Sequence, residues 1–129
     1  DHELTEINRA IVRSFVEIVL VGGHLERITE FVNEDYYAEH NPRLSDGISA
    51  LRAVLETNDN GNRQIDYRRV HRVLAEGNFV LVVSEGYLGD THSAFYDLFR
   101  IENDKLVEHW DTTEKIAPLS EWKNNNGKF

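Results

Sequence analysis

Cysteine is absent from this chain of 129 residues, and its absence excludes several kinds of chemistry at once. Disulfide bonds, thiolate nucleophiles and zinc–sulfur sites cannot form. Basic residues are also scarce, since 14 lysines and arginines stand against 23 acidic residues and leave a formal net charge of −9. That charge argues against nucleic acid or an anionic membrane surface as the main partner.

Long hydrophobic runs are missing as well. The longest, IVLV at 18–21, is far shorter than the roughly 20 residues of a membrane span. With no cysteine and no visible secretion signal, we expect a cytoplasmic protein. The content of 40% apolar and 29% charged residues is typical of an ordinary globular protein. We therefore predict one domain over 1–129, with a core at about 5–116 and a tail at 117–129.

The first half of the chain has helical periodicity. A first helix is predicted from an apolar stripe that ends at Gly22 and Gly23. The residues of that stripe are Ile7, Ile11, Phe15 and Ile18. A second helix is predicted over 25–32, and a third begins near Ile48 with Ser45 or Asp46 as its N-cap. Between these two helices lies an irregular segment, DYYAEHNPRL.

The second half alternates with the period of β-strands. Four segments rich in β-branched and aromatic residues are separated by short turn signals, which predicts an antiparallel meander. The segments read RQIDYRRVHRVLA, FVLVVSEGYL, HSAFYDLFRIE and KLVEHWDTTEKI. Helices followed by a meander predict an α+β fold, with three N-terminal helices packed against one face of the sheet.

The lengths of the turns decide which strand residues share a face. We predict a three-residue loop at each hairpin, which places Asp97 opposite His109 and puts all odd-numbered strand positions on one inner face. The alternative is a two-residue turn at Asn103 and Asp104. That turn would set Asp97 opposite Trp110 and move His109 to the outer face.

The outer face of this predicted sheet is apolar too. Its even-numbered positions include valines, a leucine and two aromatic residues, Tyr96 and Trp110. Because the helices can cover only one face, we predict a homodimer in which a second copy covers the other, with Tyr96 and Trp110 at the contact.

Asp97 interrupts FYDLF, a strand otherwise built for burial. A buried carboxylate must be protonated, paired or solvated, because an unpaired buried charge is costly. One interpretation is structural, with Asp97 bonded to Arg69 or His109. The other is an acid–base site in which Asp97, His109 and Asp111 are the catalytic residues.

Other polar and aromatic residues are candidates for binding a small-molecule substrate. They lie in the irregular segment or on the inner face of the sheet: Tyr36, Tyr37, His40, Asn41, Tyr67, Arg69, His71 and Phe95. Histidine and aspartate could in principle ligate a metal, but their spacing matches no dedicated motif. Phosphate loops, dinucleotide fingerprints and serine-nucleophile elbows are absent. We therefore predict no metal and no cofactor.

Three segments resemble the SnoaL-like, polyketide-cyclase-type branch of the nuclear transport factor 2-like superfamily. They are YYAEHNPRLSDGISALR, VHRVLAEGNFVLVVSEG and FYDLFRIENDKLVEHWD, and the last is the most specific. The resemblance implies a conical, cystatin-like α+β barrel, in which a strongly curved antiparallel sheet wraps around helices and a deep apolar pocket. It also implies a dimer through the outer sheet face.

The same resemblance implies cofactor-independent acid–base chemistry on a small carbonyl or polyketide-like substrate, as in aldol cyclases, isomerases and lyases. The family's aspartate near the end of the last strand matches Asp111. Asp97 stands where the family's pocket histidine is expected, so His109, His71 or His40 would have to supply the imidazole. The alternatives are a hydrolase or dehydratase, and a non-catalytic ligand-binding or dimerisation module of the same fold.

Overall fold

The computed structural model describes residues 1–59 and 62–129. Helix α1 (His2–Phe15) runs directly into a π-helical turn (Val16–Val21), and a 3₁₀-helix follows (Leu25–Glu30). A second α-helix, α2 (Ile48–Glu56), precedes the four long strands, and a short 3₁₀-helix (Leu119–Glu121) follows them. Among the described residues, no helix has the length and apolar character needed to cross a membrane.

The strands form a five-stranded mixed sheet and a small hairpin. Two short strands, β2 (Asn58–Asp59) and β3 (Asn62–Arg63), pair only with each other. The large sheet has the order β1-β7-β6-β5-β4, so it is open, with β1 and β4 at its edges. Its strands are β1 (Ala38–Glu39), β4 (Ile65–Glu76), β5 (Phe79–Leu88), β6 (Thr91–Glu102) and β7 (Lys105–Lys115).

The predicted α+β fold and its antiparallel meander of β4 to β7 are confirmed. Two details differ: β1 joins the meander in parallel with β7, and the sheet does not close into a barrel. The core lies between the helices and one sheet face, where Phe15 packs edge-on against Phe99 at 5.7 Å between ring centroids.

The predicted stripe of the first helix is wrong at its first residue, whereas Phe15 is buried and Ile11 and Ile18 pack against the core. Ile7 is 45% exposed, whereas Asn8 and Val12 are buried together with Phe15. A polar residue is tolerated there because Asn8 Nδ2 donates to the Gly77 carbonyl in the β4–β5 turn at 2.9 Å. The sequence pattern misses this face because it counts asparagine as exposed.

The predicted N-cap of α2 is also wrong. Gly47 occupies the cap position with φ of 97°, and no side chain caps the helix. Asp46 instead accepts a hydrogen bond from the Glu39 backbone N–H at 2.8 Å. Asp46 therefore fixes β1 in place next to the start of α2.

The three hairpins of the β4–β7 meander have two-residue turns, so the predicted three-residue loops are wrong. The closing pairs are Glu76 with Phe79, Leu88 with Thr91, and Glu102 with Lys105. In β5 this reverses the predicted faces, because the even-numbered residues, Val82 among them, are the fully buried ones.

In β7 a bulge restores the predicted faces. Arg100 pairs with Glu108, but the next residue, Ile101, pairs with Leu106, so β7 carries one extra residue there. The extra residue turns the strand over again. Asp97 consequently lies opposite Asp111, rather than opposite His109 or Trp110, and all three candidate catalytic residues line the inner cavity described below.

The outer face of the sheet is partly covered by the chain's own tail. The ring of Phe129 stacks on His71 at 3.9 Å between centroids, and Lys128 forms an ion pair with Glu114. Tyr96 and Trp110 lie on this face and are half-buried. The homodimer through this face stays a prediction.

The β6–β7 turn offers a test of backbone strain. Asp104 has φ of 65°, in the left-handed region that favours glycine. Asp104→Gly should raise the free energy of unfolding by about 0.5–1 kcal/mol, because glycine adopts this conformation without steric cost. Urea denaturation measures the change.

The matched control is Asp90→Gly in the β5–β6 turn, where Gly89 already supplies the positive φ. That substitution only adds flexibility to the unfolded chain, so it should not stabilise the protein. Equal effects of the two substitutions would contradict a specific strain at Asp104.

Candidate active site

A buried histidine lies between two carboxylates at the centre of the candidate site. His109 is 6% exposed and Asp97 is 2% exposed. His109 Nε2 lies 2.7 Å from Asp97 Oδ1, and His109 Nδ1 lies 2.9 Å from both carboxylate oxygens of Glu39. The Tyr67 hydroxyl donates to the second oxygen of Asp97 at 3.0 Å. We call these four residues the Glu39–Tyr67 network.

Four strands bring the network together, and Tyr67 belongs to β4. Asp97 and His109 lie two residues apart in the β6–β7 register, on the same face. Glu39 pairs with His109 in the parallel β1–β7 ladder, and the backbone N–H of His40 donates to the His109 carbonyl at 3.0 Å. A strand of only two residues can hold Glu39 because the ladder and the side-chain bonds act together.

The network keeps His109 protonated. Burial alone would lower the pKa of His109, but the hydrogen bonds to Asp97 and Glu39 outweigh it and raise the pKa to about 10. With both ring nitrogens bonded to carboxylates, His109 has no lone pair to accept a proton at neutral pH. The network matches the structural interpretation of Asp97 and His109, with the imidazolium as a fixed positive charge.

Asp111 has a different environment on the same strand. Burial raises the pKa of Asp111, and the charges of Asp97 and Glu39 add to the rise, while His109 and Asn41 oppose it. Its one side-chain hydrogen bond comes from Asn41 Nδ2 at 3.4 Å. Within the described residues, no arginine or lysine pairs with it.

Two connected spaces adjoin Asp111. A narrow inner cavity of about 40 Å³ lies over the network, under apolar side chains from the helices. A wider outer cleft of about 640 Å³ adjoins it. Five residues line both: Leu44, Val54, Ile65, Tyr67 and Asp111. Asp111 therefore lies at the junction between a narrow, largely apolar cavity and a wider cleft.

Tyr37 lines the inner cavity and has a buried hydroxyl. The residue is 3% exposed, and its hydroxyl forms no hydrogen bond with any residue that the structure describes. Burial raises the pKa of Tyr37 well above its usual value, with the charge of Glu39 as a further cause. The phenol therefore stays protonated, and no described residue uses its donor hydrogen.

A metal is disfavoured by the hydrogen bonds of this site. Asp97, His109 and Asp111 could each offer a ligand atom within 4.8 Å of the others. A ligating histidine must be deprotonated, however, and His109 Nε2 is already committed to Asp97.

Four of the eight predicted substrate-binding residues line these spaces. Tyr37 and Tyr67 line the inner cavity, and Asn41, Tyr67 and Phe95 line the outer cleft. The ring of Phe95 packs on that of Tyr67 at 4.6 Å between centroids. These residues lie with Asp97, His109 and Asp111, as the sequence predicts.

The other four predicted binding residues line neither space, so those placements are wrong. Tyr36 is 56% exposed, and His40 stacks on Trp110 at 4.6 Å on the outer face. Bulges in β4 turn the neighbouring side chains outward. His71 therefore bonds Glu85, 2.8 Å from Nε2, and Arg69 is exposed opposite Glu85, so it does not pair with Asp97.

Glu39 is the site residue that sequence reasoning misses. It lies in a segment interpreted as irregular, where a two-residue strand has no visible period. The one available signal is the alternation of Tyr37 and Glu39 around Ala38, because both odd-numbered side chains point inward.

The family of the chain follows from its sequence match. A family model for the SnoaL-like domain matches residues 12–109, most of the chain. The chain belongs to the SnoaL-like domain family. The resemblance of its three sequence segments to the SnoaL-like branch is thereby confirmed. No curated protein matches this SnoaL-like chain.

Solved structures share the fold of this SnoaL-like domain. A proposed ketosteroid isomerase from Kribbella flavida is 17% identical, with 96% of this chain and 93% of that chain covered and a TM-score of 0.74. A proposed SnoaL-like polyketide cyclase from Jannaschia is 18% identical, with 86% and 88% covered and a TM-score of 0.65. An LEH-like epoxide hydrolase from M. tuberculosis is 16% identical, with 85% and 84% covered and a TM-score of 0.63.

Removal of one buried carboxylate should destabilise the SnoaL-like domain strongly. Glu39→Gln should lower the free energy of unfolding by roughly 3–5 kcal/mol, because it breaks a buried ion pair on one side only. The matched control is Glu26→Gln, since Glu26 forms the exposed pair with His24 at 3.0 Å. Urea denaturation should show no measurable change for this control, and an equally small effect of Glu39→Gln would contradict the buried network.

The protonation of His109 is directly measurable. In a spectrum of protein with ¹⁵N-labelled histidine, both ring nitrogens of His109 should keep imidazolium shifts at pH 8.5, with exposed histidines as the internal reference. A neutral ring at that pH would contradict the raised pKa of about 10.

The raised pKa of His109 also fixes the direction in which pH changes the stability of the protein. The folded-state pKa of His109 lies above its ordinary value of 6.5. Its contribution is therefore complete below pH 6.5 and is lost as the pH rises towards 10. The loss should amount to a few kcal/mol, at roughly 1.4 kcal/mol per pKa unit.

Proposed function

We propose that this protein is a cofactor-independent acid–base enzyme acting on a small, largely apolar carbonyl compound. The reaction would be an isomerisation, an aldol-type cyclisation or a related lyase step. The observation that supports it is Asp111, a carboxylate with a raised pKa at the junction of an apolar cavity and an open cleft.

Asp111 is the general base in this proposal. A carboxylate abstracts a carbon-bound proton more readily when its pKa is raised towards the working pH. Asp97 and Glu39 are each bonded to His109, and only Asp111 among these three acids also faces the cleft. Asp111 therefore takes the proton next to the carbonyl group and later returns it.

Tyr37 stabilises the negative charge that develops on the carbonyl oxygen. Its hydroxyl has no partner among the described residues, so it can donate to that oxygen without breaking a bond that the structure shows. A donor placed where charge develops contributes more than one satisfied in the ground state. The inner cavity of about 40 Å³ suits the carbonyl group alone, and the remainder of the substrate lies in the cleft.

The Glu39–Tyr67 network positions these groups. His109 stacks beside Tyr37, with 6.4 Å between ring centroids, and its charge lowers the pKa of Asp111 against the effect of burial. In this proposal His109 and Asp97 are positioning residues. The isomerase and cyclase activities proposed for two of the structural relatives are compatible with proton transfer next to a carbonyl.

Hydrolysis is a second candidate. Asn41 donates to Asp111 at the mouth of the cavity, so the pair could hold and deprotonate a water molecule. One relative is described as an epoxide hydrolase. Incorporation of ¹⁸O from labelled water into product separates hydrolysis from isomerisation or cyclisation.

The test of the proposed function is α-proton exchange in D₂O, followed by NMR on apolar ketones such as 2-decanone and cyclohexanone. Asp111→Asn should lower the exchange rate by about 10²–10⁴-fold, because it removes the base. Tyr37→Phe should lower it by about 10²–10³-fold. Because it removes an unsatisfied buried hydroxyl, Tyr37→Phe should not lower the melting temperature.

The matched control is Glu114→Gln, an exposed acid on the same strand that pairs with Lys128. Its exchange rate should equal that of the wild type. Unchanged exchange in Asp111→Asn would sink the assignment of the base. Ketone binding without exchange in the wild type would favour the non-catalytic ligand-binding module.

A further inference from the structure

The outer cleft has a charge opposite to that of the whole chain. The chain carries a formal charge of −9. The described residues that line the cleft nevertheless include two cations, Arg43 and Lys115, and a single acid, Asp111. An excess of positive charge in one cleft of an acidic protein favours an anionic ligand group there.

Arg43 and Lys115 both lack an ionic partner among the described residues. Arg27, by contrast, is held by Glu30 at 2.8 Å, and Arg100 is held by Glu108 at 2.7 Å. Neither Arg43 nor Lys115 forms an ion pair or a side-chain hydrogen bond with any residue that the structure describes. Both are exposed, so an incoming anion would displace no protein partner.

Lys115 and the proposed base lie on one row of the sheet. Residues 111, 113 and 115 of β7 point to the same side, because strand side chains alternate, and all three line the cleft. Four residues of strand separate Asp111 from Lys115 by about 13 Å. Phe95 and Ser93 lie beside this row on β6, opposite Thr113 and Lys115 respectively.

The row therefore changes in character along its length. It begins at Asp111, beside the inner cavity, and continues past the apolar ring of Phe95. It ends at Lys115, where Ser93, Thr91 and Thr113 supply hydroxyl groups. Arg43 lies on the 41–44 loop, which also lines the cleft, and its backbone N–H donates to Asn41 Oδ1 at 3.0 Å.

We propose that the substrate is an extended carbonyl compound with an anionic group, a carboxylate or a phosphate, at its far end, bound by Arg43 and Lys115. This inference rests on the proposed function, because it takes the carbonyl group to lie at Tyr37. The middle of such a substrate is apolar and passes Phe95. The anion fixes the orientation of the molecule, so that its carbonyl end enters the inner cavity.

Three methyl ketones test the anion site by titration calorimetry: 9-oxodecanoate, its uncharged methyl ester, and 10-oxoundecyl phosphate. Wild-type protein at low ionic strength should bind at least one of the two anions about fivefold more tightly than the ester, since exposed ion pairs each contribute modestly. The difference should disappear in 1 M salt, where the screening length is about 3 Å.

The double variant Arg43→Gln with Lys115→Gln should bind the three ketones alike. Lys123→Gln is the matched control, because Lys123 lies outside the cleft and forms no ion pair with any described residue; it should keep the preference. Preference for one anion over the other supports the site and identifies carboxylate or phosphate as its ligand. Equal affinity for ester and anions in the wild type, no anion binding, or a preference that survives in the double variant overturns the proposal.

The two proposals fail separately. Binding is measured on Asp111→Asn as well, in which the anion preference should persist. If Asp111→Asn keeps both the preference and the wild-type exchange rate, the base assignment fails and the anion site stands. If the exchange rate falls in Asp111→Asn and no variant shows an anion preference, the base assignment stands and the anion site fails.

Discussion

The imidazolium of His109 between two buried carboxylates is the interaction on which the rest of the structure depends. It joins β1, β6 and β7 at one point, and it is the reason that a two-residue strand can hold Glu39 in the interior. Each carboxylate would be costly without the cation, and the cation would be costly without them. The hydrogen bonds among Glu39, Asp97 and His109 therefore fix the positions of three residues that line the inner cavity.

The Glu39–Tyr67 network also makes two neighbouring aspartates differ in their hydrogen bonding. Asp97 and Asp111 lie directly opposite each other on neighbouring strands, yet their partners differ. Asp97 accepts bonds from an imidazolium and a phenol, whereas Asp111 has one long bond from an amide. Burial and the neighbouring charges therefore raise the pKa of Asp111 without a compensating cation in contact. Two residues of the same type therefore differ in their hydrogen bonding, because Asp97 is surrounded by donors whereas Asp111 has one long bond and faces the cleft.

The sequence predicts the α+β fold and the meander because the strand period of two is strong over each long segment. It also predicts that Asp97, His109 and Asp111 share a face, but it does so from an incorrect strand register. The two-residue turn at Asn103 and Asp104 reverses the face, and the bulge near Val107 reverses it again. Leu106 and Val107 are both apolar and both buried, so no residue pattern marks that bulge. In β5 no bulge compensates, and the predicted faces are reversed. Glu39 escapes prediction because its pairing partner is 70 residues away.

The division of space has a further consequence for specificity. An inner cavity of about 40 Å³ can hold a functional group but not a whole substrate. In the proposed function, selection among substrates therefore depends on the cleft, which Tyr67 of the network also lines. The other walls, which include the 41–44 loop and parts of β6 and β7, lie outside the network. Changes in those walls would alter the ligand without disturbing the buried ion pairs that maintain the fold. Relatives below 20% identity that keep this fold but carry the names of an isomerase, a cyclase and an epoxide hydrolase are compatible with that separation. In the proposed function, the hydrogen-bonded network keeps Asp111 in place while the lining of the cleft can vary with the substrate.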